Sequence, residues 1–215
     1  MEEERIMAAE NIVIVNYGMG NLGSIQNMFR HIGVQSVISD NISEIENADK
    51  LVLSGVGAFD SGMKNITDLG FISVLNAKVI SDKTPILGIC LGMQLFAERS
   101  EEGSLPGLGW INADTVKFNF DNDSDRLKIP HMGWNIVNIQ KDSLLFNGLS
   151  DESRFYFVHS YHLVCKNENN VICTTNYGYD FPSAVEKENI HGVQFHPEKS
   201  HKFGMRLLEN FAEPV

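Results

Sequence analysis

The sequence predicts an α/β protein: an open, mostly parallel sheet flanked by helices, with additional short antiparallel strands in its second half. Three observations predict it. Short apolar, β-branched runs alternate with helical stretches as far as Arg99, the pattern of βαβ units. Those runs are apolar at nearly every position, as strands covered on both faces are. After about residue 105 the segments shorten, alternate in polarity and are separated by turn residues, which marks antiparallel pairing.

Asn11 to Asn16 (NIVIVN) reads as the first buried strand, followed by a Gly-rich turn and a helix from about Ser24 to Ile32. Val34 to Ser39 and Lys50 to Leu53 read as the second and third strands, the latter ending in Ser54-Gly55-Val56-Gly57. Residues 62–81 carry helical spacing, Pro85 to Ile89 is a fourth apolar strand, and Leu91 to Arg99 reads as a helix. Thr115–Phe120, Trp134–Ile139, Phe155–Val158, His162–Cys165, Val171–Thr175 and Ser183–Lys187 read as the short strands. Ile190 to Phe195 is a further strand and Lys202 to Phe211 a closing helix.

A length of 215 residues suits one domain, and 43% apolar residues suffice for its core. Residues 1–10 read as an acidic, disordered extension with Met7 as an alternative start, which leaves 11–215 as the domain. A net charge of −11 argues against nucleic acid or an anionic membrane as partner. The run Asp121–Asp125 reads as solvated acidic surface. Cys90, Cys165 and Cys173 are an odd number without a CxxC pair, so neither a disulfide framework nor a zinc site is expected. With no secretory signal and no membrane-length apolar stretch, a cytoplasmic protein without metal or cofactor is the expectation.

Gly88-Ile89-Cys90-Leu91-Gly92 is the motif that decides the chemistry. G-x-C-x-G between a strand and a helix is the thiol form of a nucleophile elbow. The turn is too tight for side chains two residues either side of the nucleophile, and it lifts the thiol above the carboxyl edge of the sheet. The following helix turns its positive dipole end toward the thiolate. A cysteine nucleophile needs a base and a group to orient that base. His196, before Pro197-Glu198, is the candidate base, with Glu198 two positions on, the same way along an extended chain. His31, His131, His159, His162, His191 and His201 have no comparable arrangement and read as structural or surface residues. An oxyanion site would draw on the N–H of Leu91 and on the loop Gly55-Val56-Gly57, whose glycines would let a peptide flip in and out of position. A competing motif is Gly18-Met19-Gly20-Asn21-Leu22-Gly23, with Asp40 after the next strand, which has the form of a dinucleotide fingerprint. It leaves both the cysteine elbow and His-Pro-Glu unexplained.

These residues resemble the class I (triad) glutamine amidotransferases from about Asn11 onward. NYGMGNLGS (16–24), SGVGAFDSGM (54–63), GICLGMQLF (88–96), FPSAV (181–185) and GVQFHPEKS (192–200) are among the matching pieces; GICLGMQ with HPE carries the class, and PHMGWN (130–135) and YFVHSY (156–161) narrow it to the glutaminase subunits that serve imidazole glycerol phosphate synthesis in histidine biosynthesis. The resemblance implies that Cys90, His196 and Glu198 hydrolyse glutamine through a thioester, that Gln94 and Glu102 hold the substrate and that Ser160 and Tyr161 assist. It also implies a heterodimer with a separate (β/α)8 cyclase that receives the ammonia, with Asn21, Trp134 and Lys199 near the interface. Three alternatives stay open: a paralogous glutaminase feeding an acetamidino-sugar amidotransferase, a γ-glutamyl hydrolase without partner, and a non-catalytic regulatory subunit.

Overall fold

The computed structural model describes residues 11–120 and 127–213; the extension at 1–10 and the Asp121–Asp125 run lie outside the described residues. The first half contains β1 (Ile12–Val15), α1 (Leu22–His31), β2 (Ser36–Ser39), α2 (Ile42–Glu46), β3 (Lys50–Gly55), α3 (Phe59–Asp68), α4 (Phe71–Asn76), β4 (Ile86–Cys90) and α5 (Leu91–Leu95). The second contains β5 (Arg99–Ser100), β6 (Ala113–Lys117), β7 (His131–Ile136), β8 (Asn138–Ile139), β9 (Arg154–His159), β10 (Tyr161–Cys165), β11 (Val171–Tyr177), β12 (Tyr179–Lys187), β13 (Ile190–Val193) and α6 (His201–Ala212).

The main sheet runs β2-β1-β3-β4-β13-β12-β11-β8. Its first five strands are parallel neighbours in the 2-1-3-4-5 order of flavodoxin-like sheets. β12, β11 and β8 extend it antiparallel. The second-half segments also form a sheet β10-β6-β5 and the ribbon β7-β9. The expected class is thus observed, mixed second half included.

Every position of β1 is buried, because Val13 and Val15 enter one core cluster and Ile12 and Ile14 the other. Successive side chains of a strand point to opposite faces, so a doubly covered strand is apolar throughout. α1 buries Leu22, Ile25 and Phe29, at helical spacing, in the same cluster as Leu207, Leu208 and Phe211 of α6. α3 buries Phe59, Met63 and Ile66 on the other side. The buried Lys50 donates from Nζ to the carbonyl of Phe211 at 3.0 Å, a cation at the carbonyl end of α6. Among the described residues no helix is long and apolar enough to cross a membrane.

Four elements differ from expectation. Residues 62–81 are not one helix: Gly70 stands left-handed at φ 73° between α3 and α4, and a π-helical turn, Ala77–Ser81, follows. The stretch expected as a helix to Arg99 ends at Leu95. Beyond it the carbonyls of Leu95, Ala97 and Glu98 accept from Leu108, Gly109 and Gly107, so the chain peels off into β5. Trp134–Ile139 divides into β7 and β8, which belong to different sheets, and the ladder of β13 stops at Val193, before Phe195.

Candidate active site

The elbow forms where β4 runs directly into α5. Cys90 has φ 53° and ψ −108°, a backbone conformation costly for a residue with a Cβ. Its tightness explains both flanking glycines. A Cβ on Gly92 would stand 1.7 Å from the Leu53 carbonyl oxygen, and one on Gly88 2.5 Å from the Phe96 ring. Register pairs Gly55 at the end of β3 with Cys90 at the end of β4, so the thiol emerges beside the Gly55-Val56-Gly57 loop.

His196 follows β13, the other neighbour of β4, and its N–H donates to the Tyr156 carbonyl at 2.9 Å. The imidazole is buried, and its Nδ1 lies 2.7 Å from Glu198 Oε1. The route by which Glu198 arrives differs from the extended alternation expected. His196 is extended, but Pro197–Lys199 is a 3-10 turn, and that turn returns the carboxylate to the ring. Ser200 fixes the turn, its hydroxyl donating to the His196 carbonyl at 2.6 Å and accepting from the Tyr156 N–H at 3.0 Å. Burial alone would lower the His196 pKa. The Cys90 sulfur and the Glu198 carboxylate outweigh burial and lift it from 6.5 to about 10. With Nδ1 committed to Glu198, Nε2 is buried without another protein partner and is the nitrogen left for the thiol.

Cys90 opens into a cavity of about 470 Å³ lined by most of the remaining candidates: Val56, Gly57, Leu91, Gln94, Glu102, Ser160 and Tyr161. Glu102 accepts from the Phe59 N–H at 2.8 Å, which fixes its carboxylate at the start of α3. Gln94 donates from Nε2 to the Tyr161 carbonyl at 2.9 Å. Leu91 is the first residue of α5, so its N–H has no helical acceptor and is available beside the sulfur. The Gly18–Gly23 motif spans the turn from β1 into α1 as a dinucleotide fingerprint would, but its close neighbour is the Gly55-Val56-Gly57 loop. A Cβ on Gly20 would stand 3.0 Å from Gly55 Cα, and one on Gly57 2.8 Å from Met19 Cε. Asp40 is exposed at the end of β2. Gly20 lets two backbones touch, and Gly57 makes room for the Met19 side chain.

Sequence reasoning did not single out Gln194, and it read His131 and His159 as structural or surface residues; both are buried. Gln194 is fully buried and its Nε2 lies 3.7 Å from Cys90 Sγ. Its only signal was its place inside the quoted motif ahead of His196. His159 is at the cavity wall, with His131 behind it. Burial holds both neutral, His131 at about 4 and His159 well below the ordinary range. A neutral imidazole has one donor and one acceptor, so the chain has a direction. His159 Nδ1–H donates to the Tyr161 carbonyl at 2.8 Å, its Nε2 accepts from His131 Nδ1–H at 3.1 Å, and His131 Nε2 accepts from the Asn135 amide at 3.2 Å.

The candidates for the partner face are exposed. Trp134 stacks on His201 with ring centroids 5.4 Å apart, and the Lys199 ammonium lies 5.6 Å from the Tyr156 ring centre. Asn21 is exposed at the start of α1, which packs on the Pro197–Lys199 turn. Met132, Trp134 and Ile136 alternate along β7 and are 62%, 47% and 44% exposed, an apolar stripe on one face of the ribbon.

A strained cysteine elbow beside a His–Glu pair, on a flavodoxin-order sheet, is the arrangement that the resemblance to the class I glutamine amidotransferases implies. The family described as glutamine amidotransferase class-I matches residues 13–215, and the chain belongs to that family. Within it the chain is similar to proteins named HisH. It is 56% identical to imidazole glycerol phosphate synthase subunit HisH 2 of Methanococcus maripaludis, over 93% of this chain and 98% of that one. It is 48% identical to the subunit of the same name from Pseudomonas aeruginosa, over 95% of this chain and 100% of that one. Among solved structures, a glutamine amidotransferase from Thermotoga maritima shares the fold with a TM-score of 0.65 at 18% identity, covering 95% of this chain and 83% of that one. PurLQS from the same organism gives 0.70 at 15% identity, over 95% and 98%.

Proposed function

We propose that this chain, the domain 11–215, hydrolyses glutamine to glutamate and ammonia and passes the ammonia to a separate (β/α)8 cyclase in a heterodimer. The observation that carries the chemistry is Cys90 on its elbow at the cavity wall, with the buried His196 beside it oriented by Glu198 at 2.7 Å. The Cys90 thiolate attacks the side-chain amide carbon of glutamine, and its electron pair forms the C–S bond. The carbonyl oxygen takes up negative charge facing the N–H of Leu91 and a donor from Gly55-Val56-Gly57. His196, protonated at neutral pH, gives its proton to the departing nitrogen, and the C–N bond breaks. Water then attacks the thioester carbon while His196 takes its proton; the C–O bond forms, the C–S bond breaks, and Cys90 leaves as thiolate, releasing glutamate. Gln94, Glu102, Ser160 and Tyr161 hold the substrate from the cavity wall.

The apolar stripe on β7, with Trp134, Lys199 and Asn21, supports a docking face for the cyclase. There the ammonia would meet a phosphoribulosyl-formimino aminoimidazole carboxamide ribonucleotide, giving imidazole glycerol phosphate and aminoimidazole carboxamide ribonucleotide. The names of the relatives support this place in histidine biosynthesis. The test is glutamate release from glutamine by the chain alone, and with the barrel cyclase and its nucleotide substrate. The expected result is weak activity alone and stimulation of about 100-fold or more by both together, within the range of alignment effects. Fast turnover by the lone chain, unchanged by the cyclase, would contradict the partner and favour a hydrolase.

A further inference from the structure

We propose that Gln194 is a further catalytic residue, an amide donor that holds the Cys90 sulfur as thiolate; this rests on the reading of Cys90 as the nucleophile. The orientation of the Gln194 amide follows from a chain of contacts that begins at an unambiguous acceptor. The Tyr161 carbonyl can only accept, so the Gln94 atom 2.9 Å from it is Nε2. The same Nε2 lies 3.1 Å from the Gln194 side chain, which must therefore present its oxygen. That turns the Gln194 NH2 toward Cys90 Sγ, at 3.7 Å, an ordinary length for a donor to the large sulfur atom.

Three further observations agree. Gln194 is completely buried, where an amide without partners is costly. It lies two residues before His196, so one short segment after β13 brings both the amide and the imidazole to Cys90. Cys90 is also beside the Val158 carbonyl at 4.0 Å, which offers nothing to a thiolate, whereas an N–H donor is stronger toward S⁻ than toward SH. Since the thiolate is the attacking species, the donor favours the reactive form. Gln94 gives the device a link to the substrate, because one NH2 group spans the pocket wall at Tyr161 and the residue that holds the nucleophile.

The test is the pH profile of Cys90 alkylation by iodoacetamide, read by peptide mass spectrometry on the intact chain, in Gln194→Met. Methionine keeps the length and removes the donor. The alkylation midpoint is expected to move up by about one pH unit, equivalent to about tenfold slower labelling below the midpoint. The kcat for glutamate release falls by about tenfold while KM stays within about twofold. An unchanged midpoint, with or without a lower melting temperature, would reduce Gln194 to packing and overturn the proposal. If Gln194→Met does not fold, Gln194→Asn, which withdraws the amide by one methylene, is judged by the same midpoint. Labelling needs no glutamine. A wild-type chain that labels at Cys90 yet releases no glutamate even with the cyclase and its nucleotide substrate would therefore sink the glutaminase reading, while the midpoint in the variant still decides the role of Gln194.

Discussion

Replacing Cys90 by serine drops glutamate release in the assembled, stimulated complex by about 10⁴-fold or more. A hydroxyl is too weak an acid to share the Cys90–His196 charge separation, so the group that should attack stays protonated. His196→Asn gives a loss of the same order, and the two together are no worse than either alone, since they act as one unit. Glu198→Gln acts differently. An amide can donate to Nδ1, which would favour the tautomer with its proton on Nε2, toward the sulfur, where a base must be bare. It also removes the carboxylate that helps raise His196. A fall of about 10²-fold to 10⁴-fold follows. All three variants keep the far-UV spectrum of the parent. Appreciable turnover in Cys90→Ser would remove the thioester from the mechanism.

Gly92→Ala damages the protein more than any other single methyl group in the elbow. The added Cβ meets the Leu53 carbonyl oxygen at 1.7 Å and its carbon at 2.7 Å. Both are β3 backbone, and β3 carries the Gly55-Val56-Gly57 loop, so relief requires moving either the central sheet or the elbow. The expected cost is about 3 kcal/mol or more, a fall of about 10 °C in melting temperature for a chain of this size, together with loss of glutamate release. Gly23→Ala is the matched control. Its Cβ meets only the Asn21 side chain, at 3.8 Å, and Gly23 is helical, so the variant melts within a few degrees of the parent. Equal melting of Gly92→Ala and parent would mean the elbow is looser than its geometry.

The parts legible in the sequence are those set by local constraints. β1 and β4 are apolar at every position because both faces are covered, and that pattern is visible without knowing the cover. The elbow is legible because sterics two residues away demand glycine. The Gly18–Gly23 motif shows the limit of such reasoning. Its spacing satisfies two backbone geometries, phosphate approach and strand approach, and only the contact with Gly55 separates them. His196 and Glu198 were identifiable as partners, but the 3-10 turn that joins them was not, since Pro197 admits either an extended or a turning continuation. Gly70, inside a helical pattern, is the break that the spacing of apolar residues could not reveal. Gln194 was legible only as part of the motif that leads to His196. Its role comes from contacts 100 residues away with Gln94 and 104 residues away with Cys90, and nothing in Val193-Gln194-Phe195 distinguishes it from a buried amide at the end of any strand.

The most direct test of the whole account is the covalent state of Cys90 when the chain, with its cyclase, meets a glutamine analogue that carries a diazoketone in place of the amide. The account predicts one adduct, on Cys90, whose formation is slowed by glutamine and abolished in Cys90→Ser. Labelling confined to Cys165 or Cys173, or labelling of Cys90 that glutamine does not compete with, would contradict it.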